Sequence, residues 1–394
     1  MDNQYTPTYH RLWNHEFVVL LVAEMLLCLS CYMTVPTLPF RLLATGNQDI
    51  NWALMTMAAF VVGMCLSGLF GCWLIQRYRR NKVFFLSACL LAACIFAFSL
   101  LDMSANYAAT PHLPYVVLAT CTASGCAFGS AKRVLSCTLL IDKTESCNRT
   151  EANYVAIWIA RMTVVAGPVA TISLRHEMPN TWFYGTAAAI ALASATLVMS
   201  VKFPFRAPEE GTHIISFDRF FLPKSWNVAL VITLMAASLG IVISTRFNLE
   251  VLSSIAAGFV ISILVLRYNV VRTGRFTSAV GNACMLAALA AFAFHDGLLD
   301  NTLKPMILGL GFGLTSSEQL FKLLNQCDHC QRSTAESTYF MSSDSGLFFG
   351  IATGICLTQT GWQADHTALA CLVVAVFICS VNALVKRKRT AYHA

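Results

Sequence analysis

Long apolar runs, separated by short polar breaks, dominate this chain. Runs of about twenty residues, the length that crosses a bilayer as a helix, lie near 17–39, 53–75, 83–101, 113–140, 153–173, 182–201, 226–245, 251–266, 276–294, 303–323, 336–357 and 367–385. They predict twelve transmembrane helices. The longest stretch without such a run, KFPFRAPEEGTHIISFDRFFLPKSWN at 202–227, divides them six and six. The expected organisation is a six-helix bundle over 1–201, a cytoplasmic linker over 202–225, and a second bundle with a basic tail over 226–394. The first run is too long for the apolar region of a secretory signal, so it is expected to remain as the first span.

An even number of spans puts both termini on one side, and the basic residues say which. With the N-terminus inside, twenty Lys and Arg fall in inner segments, from Arg11 through Arg77, Arg79, Arg80 and Lys82 to the tail at 386–389. Only Arg41, Arg175, Arg246 and Lys304 fall outside. The positive-inside rule therefore predicts two cytoplasmic termini. Trp52, Trp182, Trp226 and Trp362 stand near span ends, where interfacial tryptophans belong.

Composition narrows the function classes. Charged residues make up 12% and hydrophobic residues 57%, against about 25% charged in soluble domains. The net charge of +7 reflects topology, so no nucleic-acid partner is expected. The sixteen cysteines lie mostly inside apolar runs, where Cys acts as a small hydrophobe, and no disulfide framework is expected. A lone CDHC at 327–330, with Cys147 in a neighbouring inner loop, falls short of the four ligands of a structural zinc site. The nine histidines form no metal-spaced pair within a span, and no G-x-S-x-G or Walker motif is present. A membrane enzyme and direct ATP drive are both disfavoured, and no metal or cofactor is expected.

Equal halves invite a search for internal symmetry. Arg149 and Ala152 precede the fifth span; Arg332 and Ala335 precede the eleventh. Twelve residues beyond each Arg stand Arg161 and Asp344, and eighteen beyond stand Gly167 and Gly350. One offset of 183 residues relates all four pairs. Two charges of opposite sign thus occupy pseudo-equivalent depths. A centrally placed Asp costs roughly 2.5–3.5 kcal/mol on insertion scales, so such groups face a bundle interior and pair with one another. Glu24 in span one is expected to meet Arg133 or Arg161. Glu318 and Asp344 are the acidic counterparts in the second half, although Glu318 is also spaced to pair with Lys322 on its own helix. Lys132 has the length to snorkel inward. These groups can act as structural pairs or as substrate and proton-coupling residues. Gly63, Ser67 and Gly71, and Gly125 and Gly129, recur every four residues and predict close helix packing.

Four motifs resemble those of the major facilitator superfamily, in its twelve-span efflux branch of drug and sugar exporters (arabinose-efflux-like). Leu29, Ser30 and Pro36–Thr37–Leu38–Pro39 resemble L-G-x5-P-x-x-P, with Ser for Gly. Gly71, Gln76, Arg77, Arg79, Arg80 and Lys82 resemble the gating motif G-x-L-x-D-R-x-G-R-K, with Gln76 in place of its acid and Gly71 one place out of register. Gly167–Pro168 resembles the antiporter motif of span five, without its flanking glycines, and is expected to bend that helix. Residues 332–350 resemble R-G-T-A-x-S-T…D-x-G-x3-G of span eleven. In span four, Gly125 and Gly129 fit the family pattern, but Cys121 stands where its arginine belongs.

The resemblance implies an all-α membrane protein of twelve helices in two pseudo-symmetric six-helix bundles. It implies a non-enzymatic secondary transporter of the cytoplasmic (inner) membrane, with spans one, four, seven and ten lining a central cavity. The expected partners are a small-molecule substrate, protons and the lipid bilayer, and a monomer suffices. Proton-coupled export is the first expectation. A uniporter, an importer of a small, even anionic, metabolite and a non-transporting sensor share the fold. If the loop after span two controls opening through charge, Gln76→Asp will leave folding intact and shift the protein toward outward-facing states. Unchanged labelling accessibility on both faces would contradict this.

Overall fold

The computed structural model describes residues 13–44, 50–103, 112–145, 148–203, 213–217, 219–268, 275–294, 302–328 and 331–392. Twelve helices follow the twelve apolar runs. They are α1 (His15–Leu43), α2 (Ile50–Arg77), α3 (Arg80–Met103), α4 (Leu113–Asp142), α5 (Arg149–Glu177), α6 (Asn180–Ser200), α7 (Trp226–Thr245), α8 (Leu249–Arg267), α9 (Arg275–Phe294), α10 (Leu303–Leu324), α11 (Arg332–Thr360) and α12 (Ala364–Tyr392). Eleven are long and apolar enough to cross a membrane. The other, α10, carries Glu318, Gln319 and Lys322 near its C-terminal end.

Local chemistry sets several helix ends. Asn14 and Asn248 cap α1 and α8, their side-chain oxygens accepting from the amides of Phe17 (2.7 Å) and Val251 (2.8 Å), which satisfies donors that have no intrahelical partner. Gly361 ends α11 in the left-handed region at φ 72°, a conformation that favours glycine. α5 runs unbroken through Pro168. α1 tightens to a 3-10 turn at Val35–Thr37, around Pro36, and α4 widens to a π-helical segment at Leu135–Leu139.

The helices pack as two copies of one arrangement. In the first half α1 lies against α5 and α6, α2 against α4, and α3 against α4 and α6. In the second, α7 lies against α11 and α12, α8 against α10, and α9 against α10 and α12. The bundles meet chiefly where α2 faces α11 and α5 faces α8. Of the expected linker, residues 204–212 and 218 lie outside the described residues. Nearby, the Ser216 amide donates to the Leu69 carbonyl of α2 (3.1 Å). The amides of Arg219 and Leu222 donate to the hydroxyls of Thr334 (3.1 Å) and Thr338 (2.8 Å) of α11. Fourteen cysteines among the described residues are free; Cys147, His329 and Cys330 lie outside them.

Close approach within each bundle depends on glycine. A Cβ on Gly125 would strike the Phe60 carbonyl of α2, and one on Gly309 would strike the Ile255 carbonyl of α8. These contacts are pseudo-equivalent, joining α2 to α4 and α8 to α10. In lipid there is little hydrophobic drive between helices, so van der Waals contact at small residues holds them together. Gly125→Ala and Gly309→Ala are therefore each expected to lower the thermal unfolding midpoint in detergent. Gly185→Ala, where an added Cβ meets nothing within 4 Å, is the control, expected to change stability by less than about 1 kcal/mol.

Candidate functional site: a buried charge cluster between the bundles

Asp344 lies twelve residues into α11 and is 2% exposed. Its counter-charge is Lys132 of α4, in the other bundle, whose Nζ is 2.6 Å from Oδ2. Tyr32 of α1 donates its hydroxyl to Oδ1 at 2.8 Å, and Lys132 donates to the same Tyr32 oxygen at 3.3 Å. Aromatic rings close around the ammonium, Phe340 at 4.4 Å and Phe128 at 5.2 Å from their centroids. Lys132 therefore does not snorkel to the inner surface. The low dielectric that makes an isolated charge expensive also strengthens a pair whose hydrogen bonds are satisfied.

Packing of α5 on α1 positions Tyr32. Gly167 faces the Tyr32 backbone, where a Cβ would sit about 2.7 Å away, and Thr171 donates to the Met33 carbonyl at 2.7 Å. The Gly167–Pro168 motif thus lies at the contact that carries the phenol to Asp344.

The ion pair expected between Glu24 and Arg133 or Arg161 is not formed. Glu24 is fully buried; Ser136 donates to its Oε1 at 2.6 Å, while Oε2 has no hydrogen-bond partner. Helical phase explains this. Successive residues of a helix point about 100° apart, so Lys132 faces α1 and α11 while Arg133 faces α2. Arg133 donates there to Ser67 Oγ and to the Met64 carbonyl (3.2 Å), and lies over the Phe220 ring at 5.8 Å. Gly71 is part of its cradle, since a Cβ there would come 3.7 Å from Nε. Ser136, one turn on from Lys132, is what reaches Glu24.

Arg161 is 2% exposed and lies over the rings of Tyr339 (5.0 Å) and Phe312 (5.8 Å) of the opposite bundle. Its Nη1 and Nη2 have no hydrogen-bond partner. The motif at 332–350 also contains Glu336, fully buried, neither of whose carboxylate oxygens has a partner. Glu336 and Glu24 act on each other electrostatically. Glu336 is a residue the sequence argument passed over, because it stands near a loop. Its spacing of eight from Asp344, two turns along one face, was the available signal. Glu318 stands apart from this cluster, half-buried on α10 and electrostatically beside Tyr154. The pairing of Glu318 with Lys322 is not seen: Lys322 donates to Ser278 at 3.1 Å.

Gln76, Arg77 and Arg80 of the gating motif lie where α2 ends and α3 begins. Arg80 pairs with Asp142 at the end of α4 (2.5 Å), so an acid from α4 stands opposite the motif that lacks its own. Gln76 accepts from Cys72 at 3.4 Å, and Arg77 is exposed. Lys143 pairs with Glu16 at 2.8 Å, tying α4 to α1.

Breaking a buried pair strands the remaining charge and costs about 3–5 kcal/mol, whereas removing both partners together costs much less. Lys132→Met and Asp344→Asn are each expected to lower stability by that order, and the double variant to recover most of the loss. Additive losses in a double-mutant cycle would show that the two side chains do not interact.

No family model matches the chain, and no curated protein matches it by sequence. Solved structures do. A bacterial homologue of the iron transporter ferroportin, in its outward-facing state, superposes with a TM-score of 0.66 at 17% identity, over 93% of this chain and 98% of that one. The POT family transporter PepTSo gives 0.67 at 11%, over 96% and 99%. A D-xylose–proton symporter gives 0.64 at 12%, over 92% and 96%. At these identities the likeness is one of architecture: the chain has the twelve-helix, two-bundle fold of these solved transporters.

Proposed function

We propose that this chain is a secondary transporter that moves a small molecule across the cytoplasmic membrane by alternating access. The observation that carries the proposal is the Lys132–Asp344 pair, which joins α4 of one bundle to α11 of the other. Rocking of the two halves, 1–201 and 226–394, about a fixed site must part these residues. Parting them leaves two uncompensated charges in a low-dielectric interior. Proton uptake by the carboxylate, or arrival of a ligand, removes that penalty. Asp344 is the coupling group in this scheme, and Lys132 takes the place of the missing arginine at Cys121. Arg80–Asp142 and Lys143–Glu16 both lie within the first bundle and survive such a motion.

Outward movement is supported by the efflux-type motifs, above all 332–350, and the orientation by the excess of inner Lys and Arg. The xylose–proton symporter among the structural neighbours has the same architecture, so architecture leaves direction open and the motifs argue for export. The fold accommodates a monomer, and the proposed cycle needs only substrate, protons and bilayer.

Reconstituted protein with an imposed pH gradient tests the coupling. Adding pools of candidate substrates is expected to move protons with wild type and not with Asp344→Asn, each checked for helix content and monodispersity. Proton movement that survives Asp344→Asn would reduce the aspartate to a structural partner. Substrate flux without proton movement would favour a uniporter.

A further inference from the structure

Arg161 and Asp344 occupy equivalent places in the two halves, each twelve residues into its helix, and each points into the opposite bundle. Their surroundings differ in one respect. The protein supplies the counter-charge for Asp344, in Lys132. For Arg161 it supplies two aromatic rings, with the Tyr339 phenol and the Asp344 charge acting on it from farther off; Arg161 belongs to no ion pair among the described residues. The Asp344 oxygens are already engaged, Oδ2 by Lys132 and Oδ1 by Tyr32. Both terminal nitrogens of Arg161 are buried without a hydrogen-bond partner.

A guanidinium stays charged in proteins, and cation–π contact offsets only part of the penalty of burying it. Its two unpartnered nitrogens form the fork that matches a carboxylate or phosphate in two parallel hydrogen bonds. Lys132 is already paired with Asp344, so the fork of Arg161 presents a single charge, which one carboxylate matches and a phosphate dianion exceeds. The walls choose the rest of the molecule. Tyr339 and Phe312 cover the guanidinium, Phe259 lies 6.3 Å from Phe312, and Trp158, one turn before Arg161, lies 4.9 Å from Phe259. A sugar needs many hydrogen-bonding partners; these rings offer stacking surface.

We infer that Arg161 binds the carboxylate of an aromatic monocarboxylate whose ring lies among Tyr339, Phe312, Phe259 and Trp158. The ligand supplies a carboxylate within hydrogen-bonding reach of the fork, where the second bundle offers only the Tyr339 phenol and Asp344 beyond ion-pair distance. This names the substrate class of the proposed transporter and rests on that proposal only for the word substrate, since binding is measured without flux.

The experiment is thermal unfolding and titration calorimetry of the purified full-length protein in detergent. The probes are benzoate, its neutral isostere benzamide, and phenyl phosphate. Benzoate is expected to raise the unfolding midpoint in a concentration-dependent way and to bind at least about tenfold tighter than benzamide, the effect of one charge-assisted hydrogen bond. Arg161→Gln is expected to abolish the benzoate shift, and Arg161→Lys to weaken it by losing the fork. If Arg161→Gln fails to fold, Phe312→Leu provides the second arm: the benzoate shift, taken against that variant's own unliganded midpoint, is expected to shrink. Equal shifts from benzamide, tighter binding of phenyl phosphate, or no benzoate shift to roughly 10 mM, above the usual range of KM, would each overturn the assignment. Benzoate binding that needs Arg161, without flux in liposomes, upholds the site and removes the transporter proposal instead.

Discussion

A charge within the hydrocarbon layer must find an opposite charge or a polar enclosure, and the centre of this protein is organised around that constraint. The Lys132–Asp344 pair answers it across the boundary between the two bundles. Tyr32 completes the carboxylate's hydrogen bonding, and the rings of Phe128 and Phe340 exclude water. The pair also contributes specificity of docking. It sets α4 against α11 in one register, because any slip would strand both charges. The same contact is strong while formed and costly when open, so it holds the two bundles in one docked arrangement.

The supports of that pair are steric. Gly167 brings α5 onto α1 at Tyr32, and Thr171 fixes the contact by donating to the Met33 carbonyl. Gly125 and Gly309 bring α2 onto α4 and α8 onto α10 in the same way. Each bundle is thereby a tightly packed unit, and the polar work falls to the surface between them. Arg133 is held chiefly by its own bundle, through Ser67 and the Met64 carbonyl, and also reaches Met341 of α11 at 4.0 Å. The chain that follows the first bundle ties back onto α2 and α11 through Leu69, Thr334 and Thr338, joining the two units.

The architecture was legible because a bilayer imposes length and polarity on every span. The twelve runs appear as twelve helices, even where the pattern was least clean, in the short eighth run and the charge-bearing tenth. The 183-residue offset named Arg161 and Asp344 as a related pair from four matched positions. Partner choice was another matter. The expectation that Glu24 meets an arginine fails because position along a helix says nothing of phase around it. A rotation of about 100° between Lys132 and Arg133 sent one to the second bundle and the other to α2. The π-helical segment at Leu135–Leu139 further shifts the phase of the turn that carries Ser136 to Glu24.

The sequence by itself determined the twelve apolar runs, the repeat that relates the two halves and, Glu336 apart, the buried charges of the central cluster. All three follow from one-dimensional rules: bilayer thickness, the cost of burying charge and a fixed repeat. Only the tertiary structure decided that Lys132 neutralises Asp344, that Tyr32 reaches across to the carboxylate, that Asp142 stands opposite Arg80, and that Arg161 is left facing aromatic rings. Those pairings depend on which faces of separate helices meet. Contacts between residues hundreds of positions apart fix that, and no local pattern in the chain encodes it.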